Sequence, residues 1–172
     1  MKHTIAALVN NRPGVLAKVA GLFARRGYNI DSLAVGPTIY GGDKEAGPDK
    51  YSRMTIVVDD EGDPRIMSQI EKQLGKLVDV VHLSDHTRAD IVRRELALIK
   101  IECPPGKRPE IVAICQAFRA QIDDIGQGTV IIQATGAPEK VDGMVAVLGA
   151  DYPVIEFVRT GRVVLARGDR AT

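Results

Sequence analysis

Apolar and polar positions along this chain alternate between two periods, and the switches between them mark its elements. Ile5–Val9 is a continuous apolar run and predicts a buried strand. Leu16, Val19, Ala20 and Phe23 then share one face of a helix over Leu16–Arg26, which stops at Gly27. Tyr28–Thr38 predicts extended chain that offers Ile30, Leu33 and Val35 to a core. Ile39–Lys50 holds Gly41-Gly42, Gly47 and Pro48 among charges and predicts an exposed hairpin loop. Tyr51–Asp59 alternates, with Met54, Ile56 and Val58 on one face, as a half-buried strand should. Asp63 suits a helix cap and Pro64 a first turn, before an apolar stripe of Ile66, Met67, Ile70 and Leu74. Val78–Leu83 predicts a fourth strand.

The second half repeats this order after a polar linker, Ser84–Glu95, with room for a turn of helix. Leu96–Ile101 predicts a strand, and Pro104-Pro105-Gly106 stands 92 positions after Arg12-Pro13-Gly14 at the next strand-to-helix turn. Ile111, Ile114, Cys115 and Phe118 mark a helix, and Ile122-Asp123-Asp124-Ile125 stands 92 positions after Ile30-Asp31-Ser32-Leu33. Gly126-Gln127-Gly128 predicts a tight hairpin, Val130–Ala134 a strand, and Val141, Met144, Val145 and Leu148 the last helix. Val154–Val158 and Val163–Ala166 predict a closing hairpin about Thr160-Gly161. Strand, helix, strand, strand, helix, strand is the ferredoxin-like βαββαβ order. The fold class expected is therefore α+β with two such domains, over residues 1–84 and 95–172, joined by a linker at 85–94.

Composition narrows the function without naming it. At 172 residues the chain holds two small domains, and 45% hydrophobic with 26% charged residues is the balance of a soluble globular protein. A net charge of +1 and 4% aromatic residues without tryptophan point away from nucleic acid and from membrane surfaces. Two cysteines, Cys103 and Cys115, are too few for a disulfide framework and suit a reducing compartment. No apolar run approaches the roughly 20 residues that span a bilayer. Met1-Lys2-His3-Thr4 leads straight into the first strand with no signal segment, so a cytoplasmic location is expected.

The informative chemistry lies between the first strand and the first helix. Asn11 suits a helix cap, Pro13 a first turn, and Gly14 a close backbone approach. The first N–H groups of a helix lack internal partners and face the positive end of its dipole, so a carboxylate docks there. An asparagine beside that point adds a donor and an acceptor. The same Asn-x-Pro-Gly pattern is also an ordinary way to turn a strand into a helix.

Val9-Asn10-Asn11-Arg12-Pro13-Gly14-Val15-Leu16 resembles the ligand loop of an ACT domain, the amino-acid-sensing regulatory module. Gly21–Leu33, Ser52–Ile56 and Gln69–Val80 narrow the resemblance to the regulatory (small) subunit of acetohydroxyacid synthase, also called acetolactate synthase. The resemblance implies that the first domain is an ACT domain forming a homodimer, with valine or another branched-chain amino acid bound between two protomers. Carried over by position, Asn11, Gly14 and Asn29 bind the effector, the two asparagines coming from different protomers. Val15 as a backbone donor and Ile30 as an apolar wall are added on geometric grounds. Such a pocket separates valine from leucine by only about 1–3 kcal/mol. The resemblance further implies a catalytic large subunit as partner, which holds thiamine diphosphate, a divalent metal and flavin (FAD). This chain would hold no cofactor, would raise the partner's activity and would make it inhibitable by valine. Cys103 and Gln121 stand where Asn11 and Asn29 stand in the first half, so the second copy is expected to have lost the site. Its arginine-rich end (Arg159, Arg162, Arg167, Arg170) is a candidate for part of the effector response.

Other constellations carry less. His82, Asp85 and His86 offer three ligand types without a nearby fourth and read as solvated linker residues, so no metal site is expected. Cys103 and Cys115 read as buried structural thiols. Arg25-Arg26 and Arg93-Arg94 read as solvated faces or partner contacts. No Ser-His-Asp set, carboxylate pair or phosphate loop is present, so no catalytic residue is assigned. Two alternatives stay open: a stand-alone amino-acid-sensing ACT regulator of another enzyme, and a small enzyme on a ferredoxin-like scaffold.

Overall fold

A computed structural model describes residues 1–39, 49–63 and 65–168. Most of the expected Ile39–Lys50 loop, the expected first-turn Pro64, and Arg170 lie outside the described residues. The chain divides into two compact units, Met1–Val92 together with the tail from Arg162, and Arg93–Gly161. Residues 162–168, expected with the second domain, thus group with the first.

The first unit runs β1 (Lys2–Asn10), α1 (Val15–Arg26), β2 (Ser32–Thr38), β3 (Tyr51–Asp59), α2 (Arg65–Leu74) and β4 (Val80–Asp85). Its antiparallel sheet has the order β2-β3-β1-β4, the ferredoxin-like arrangement. Ile5, Ala7 and Val9 of β1 with Met54, Ile56 and Val58 of β3 form one buried face. Val15, Val19, Leu22 and Phe23 of α1 and Met67, Ile70 and Leu74 of α2 complete that core. The strands alternate, so Ala6, Leu8, Thr55 and Val57 face the other way, yet they too are buried. The tail bonds to that second face. Arg53 donates to the Val164 carbonyl at 2.8 Å, and the Arg162 N–H donates to Ser32 Oγ at 3.2 Å, with Val164 itself 3% exposed.

β5 (Ile91–Glu102) begins inside the expected linker, and β4 ends inside it at Asp85, so half of 85–94 belongs to strands. The last helix of the first unit is followed by a turn in which Val78 is 95% exposed. The fourth strand therefore starts at Val80 rather than at Val78. After β5 a 3-10 turn (Pro105–Lys107) leads into α3 (Arg108–Phe118), β6 (Gln121–Ile125), β7 (Thr129–Gly136), α4 (Pro138–Asp151) and β8 (Val154–Arg159). The order β6-β7-β5-β8 repeats that of the first sheet. Ile99, Ile101, Ile111, Ile132, Met144 and Leu148 are fully buried in its core, with both cysteines beside them.

The expected closing hairpin does not form. β8 and β9 (Val163–Ala166) both pair with β5. Thr160 is pinned to that strand, its N–H on the Leu96 carbonyl and its hydroxyl on the Leu96 N–H. Beyond it the Arg167 N–H reaches the Asp90 carbonyl, so the chain keeps running along the 12 residues of β5 instead of turning back on itself.

Two details of the repeat are visible only in the backbone. The β1–β4 register shifts between Leu8 and Val9, and the β5–β8 register shifts between Lys100 and Ile101, 92 positions on. The residues passed over in these pairings are Val81 and Ile155, so the extra residue lies in β4 and in β8, at one place in both copies. The first helix of each copy ends in a left-handed residue, Gly27 (φ 72°) in one and Arg119 (φ 50°) in the other. A side chain in that region costs about 1–2 kcal/mol, which glycine avoids at some entropic cost. Gly27→Ala should accordingly lose about 1–2 kcal/mol, while Arg119→Gly gains about 0.5–1 kcal/mol. Urea unfolding followed by circular dichroism measures both.

Candidate functional site

β1 delivers the loop and α1 receives it. Asn11 at the strand end is held twice, its N–H on the Lys50 carbonyl at 3.0 Å and its side-chain Nδ2 on the Asp49 carbonyl at 3.0 Å. These bonds orient an exposed amide whose second N–H and oxygen remain for another partner. Asn11 was expected to cap the helix, and it does not. The cap position falls to Gly14, in the left-handed region at φ 85°, which offers no side chain to bond the first turn. Pro13 accordingly lies in the turn ahead of the helix. The Lys18 N–H opens the helical ladder on the Gly14 carbonyl at 3.0 Å. The N–H groups of Leu16 and Ala17, in the first turn, have no intrahelical acceptor and point off the positive end of the helix. Val15 was expected to donate from its backbone. Its N–H already reaches the Arg12 carbonyl at 3.3 Å, and its side chain is buried in the core.

Asn29 lies elsewhere. It is exposed, with Nδ2 donating to Asp31 Oδ1 at 3.2 Å, and Ile30 beside it is half-buried against the first core. Strand register shows how far this is from the loop. Ser32 pairs with Val57 and Val57 with Thr4, whereas Thr38 pairs with Tyr51 and Tyr51 with Asn10. The two asparagines of one chain therefore sit at opposite ends of the sheet, separated by about 20 Å of strand. α1 spans the same gap, since its 12 residues start beside Gly14 and end before Gly27. One chain does not bring the five expected residues together. Asn11, Gly14 and Val15 form one group, and Asn29 and Ile30 another.

Two charged residues beside the loop escaped the sequence reading. Lys18 Nζ lies 2.8 Å from Asp79 Oδ2, and the Asp79 carbonyl accepts the Asn10 N–H at 2.8 Å. The hydrogen bond from Lys18 holds the Asp79 carboxyl below the usual carboxylate range, with help from the Asn10 side chain and the charge of Arg12. A lysine near the start of a helix opposes the dipole and calls for a carboxylate partner, which is the signal that would have found the pair.

The second copy is built differently at the same place. Cys103 is fully buried and its N–H bonds the Gly128 carbonyl, as Asn11 bonds Lys50. Gly106 has no positive φ, and the chain there winds into the 3-10 turn. That turn consumes N–H groups: Lys107 donates to the Pro104 carbonyl and Arg108 to that of Pro105. The positive end left open in the first copy is closed in the second.

The remaining candidates resolve into structure. His82 bonds Ser84 Oγ at 3.0 Å and Asp85 accepts the Thr87 N–H, both from β4 or its end. His86 is only 4% exposed, not solvated as expected, and burial followed by the charge of Arg53 lowers its pKa. Among the described residues no group of three or more His, Cys, Asp or Glu is placed to hold a metal ion. Burial pushes the Cys115 thiol up. Arg159 pairs with Glu95 and with Asp142 and lies 4.9 Å from the Phe157 ring, while Arg167 pairs with Asp90 at 3.0 Å. Among the described residues no helix is long and apolar enough to cross a membrane.

A family model described as the AHAS small subunit-like ACT domain matches residues 5–82, which agrees with a βαββαβ unit carrying an open glycine loop between β1 and α1. The first unit is an ACT domain. A second model, described as the small subunit of acetolactate synthase, matches residues 94–168. A probable acetolactate synthase small subunit from Archaeoglobus fulgidus is 47% identical over 170 residues, with 99% of each chain covered. The acetolactate synthase small subunit of Bacillus subtilis is 41% identical over 168 residues, covering 98% of this chain and 92% of its own. The crystal structure of the acetolactate synthase small subunit from Thermotoga maritima superposes with a TM-score of 0.82 at 38% identity, covering 99% of both chains. The chain belongs to the acetolactate synthase small-subunit family.

Gly14 is the backbone test of the loop. A Cβ there meets nothing within 4 Å, so the strain of Gly14→Ala comes from φ alone. The substitution should cost about 1–2 kcal/mol in urea unfolding.

Proposed function

We propose that the chain is the non-catalytic regulatory subunit of an acetolactate synthase, active in the cytoplasm, and that it senses valine. A homodimer through the ACT domain brings Asn11 and the open start of α1 from one chain to Asn29 and Ile30 of its partner. The observation that carries this reading is the placement of the two asparagines at opposite ends of one sheet, which leaves each group half a site. The ligand's carboxylate docks on the first-turn N–H groups behind Gly14. The two asparagine amides bond its charged ends, and the apolar flank beside Ile30 receives its branched side chain.

A ligand that touches two chains favours whichever arrangement of the dimer fits it, and so changes what the dimer presents to a third protein. That third protein is the catalytic large subunit, which carries thiamine diphosphate, FAD and a divalent metal. This chain binds none of them. Without valine it raises the partner's activity, and with valine it restrains it. The names of the Archaeoglobus and Bacillus relatives support the choice of enzyme.

Calorimetric titration of valine into the purified chain tests the site. Asn11→Ala removes one hydrogen bond to a charged ligand, worth about 1.5–3 kcal/mol, and should weaken binding roughly 10- to 150-fold. Equal affinity in both proteins would move the site away from this loop. Activity of the catalytic subunit, measured with and without this chain and valine, separates a partner of that enzyme from a stand-alone amino-acid sensor.

A further inference from the structure

The ligand loop is flanked by the end of β1 and the start of α1, and one residue ties both flanks, by its backbone on one side and its side chain on the other. Asp79 lies in the turn before β4, with its side chain only 14% exposed. On one side it takes the Lys18 ammonium at 2.8 Å, from the second turn of α1. On the other its backbone carbonyl takes the Asn10 N–H at 2.8 Å. Arg12, inside the loop, adds its charge nearby.

We propose that Asp79, acting through Lys18 and Asn10, is a positioning residue that sets the spacing between Asn11 and the open first turn of α1. The proposal rests on the effector reading above. A ligand bonded both to the Asn11 amide and to the helix N-terminus needs those two groups held at one separation. The loop's own bonds run from the Arg12 N–H to the Asn10 carbonyl and from the Val15 N–H to the Arg12 carbonyl, and Asp79 braces the two flanks from outside them.

The second copy gives an internal comparison. Glu102 donates its N–H to the Pro153 carbonyl, as Asn10 does to Asp79, so Pro153 stands in the place of Asp79 with no carboxylate to offer. Glu110 stands 92 positions after Lys18, with the opposite charge. It pairs with Lys107 at 3.0 Å, within the same stretch of chain. The backbone bond is kept where the loop is closed, and the side-chain tie across the loop is present only where the loop is open.

The test is valine affinity by calorimetry at 25 °C, on proteins shown to be folded by circular dichroism. Asp79→Asn and Lys18→Met should each weaken binding about tenfold, as loss of one charge-assisted bond implies. The double variant should bind no more weakly than either single one, because the two substitutions break the same tie. Asp79→Glu, which keeps the charge, should recover affinity to within about twofold. Affinity unchanged in Asp79→Asn and Lys18→Met, while Asn11→Ala loses it, overturns the role of Asp79 and leaves the effector site standing. Multiplying losses in the double variant also overturn the tie, since they describe two independent residues. No uptake of valine by the unsubstituted chain overturns the effector reading, and the positioning role with it.

Discussion

Antiparallel pairing sets Asn10 beside Tyr51 and Thr38 at one end of the first sheet, and Thr4 beside Val57 and Ser32 at the other. A strand cannot slip by one residue here, because β1 buries both faces and a slip would exchange them. The distance between the loop and Asn29 is therefore as rigid as the sheet itself. Any ligand needing both ends must find the second end on another molecule. The open helix start, the glycine that produces it and the amide beside it all depend on where β1 stops.

The two copies show how little separates an open glycine loop from a closed one. In both copies the fourth strand passes over one residue at the equivalent position, the first strand donates an N–H to the turn before the fourth, and a glycine stands at the equivalent place before the helix. Gly14 takes a positive φ and Gly106 does not. With that one torsion changed, the first turn tightens into a 3-10 turn and its N–H groups find acceptors inside the chain. A buried cysteine then replaces an exposed asparagine at the strand end.

Hydrophobic period alone located the helices and the central strands, because in both units each of these elements has residues buried in the core. Met54, Ile56 and Val58 read directly as a core face, as did Ile70 with Leu74 and Met144 with Leu148. Sequence could not show where local hydrogen bonds would go. Asn11 matches a cap in type, but the helix begins only at Val15, and Gly14 holds the cap position. Val78 continues an apolar run and yet stands in solvent, because the chain is still turning there. Thr160-Gly161 has the composition of a hairpin turn, and the outcome was decided by the length of β5, a strand distant in sequence. The pair of Lys18 and Asp79 was illegible for the same reason, being 61 residues apart. The loop's likeness to an ACT ligand loop pointed to Asn11 and Gly14, and only strand register showed that Asn29 lies at the other end.

The tail has a consequence for the order of events on the ribosome. Arg53 and Ser32 of the first unit bond to residues 162–168, so that unit draws on chain made well after its own sheet. At usual rates of synthesis the roughly 76 residues between Val92 and Gly168 take about 4–15 s to appear. Through that interval the Arg53 guanidinium and the Ser32 hydroxyl wait for the backbone groups of Val164 and Arg162 that they bond. The first unit thus completes its own hydrogen bonds only after the whole second unit has been made.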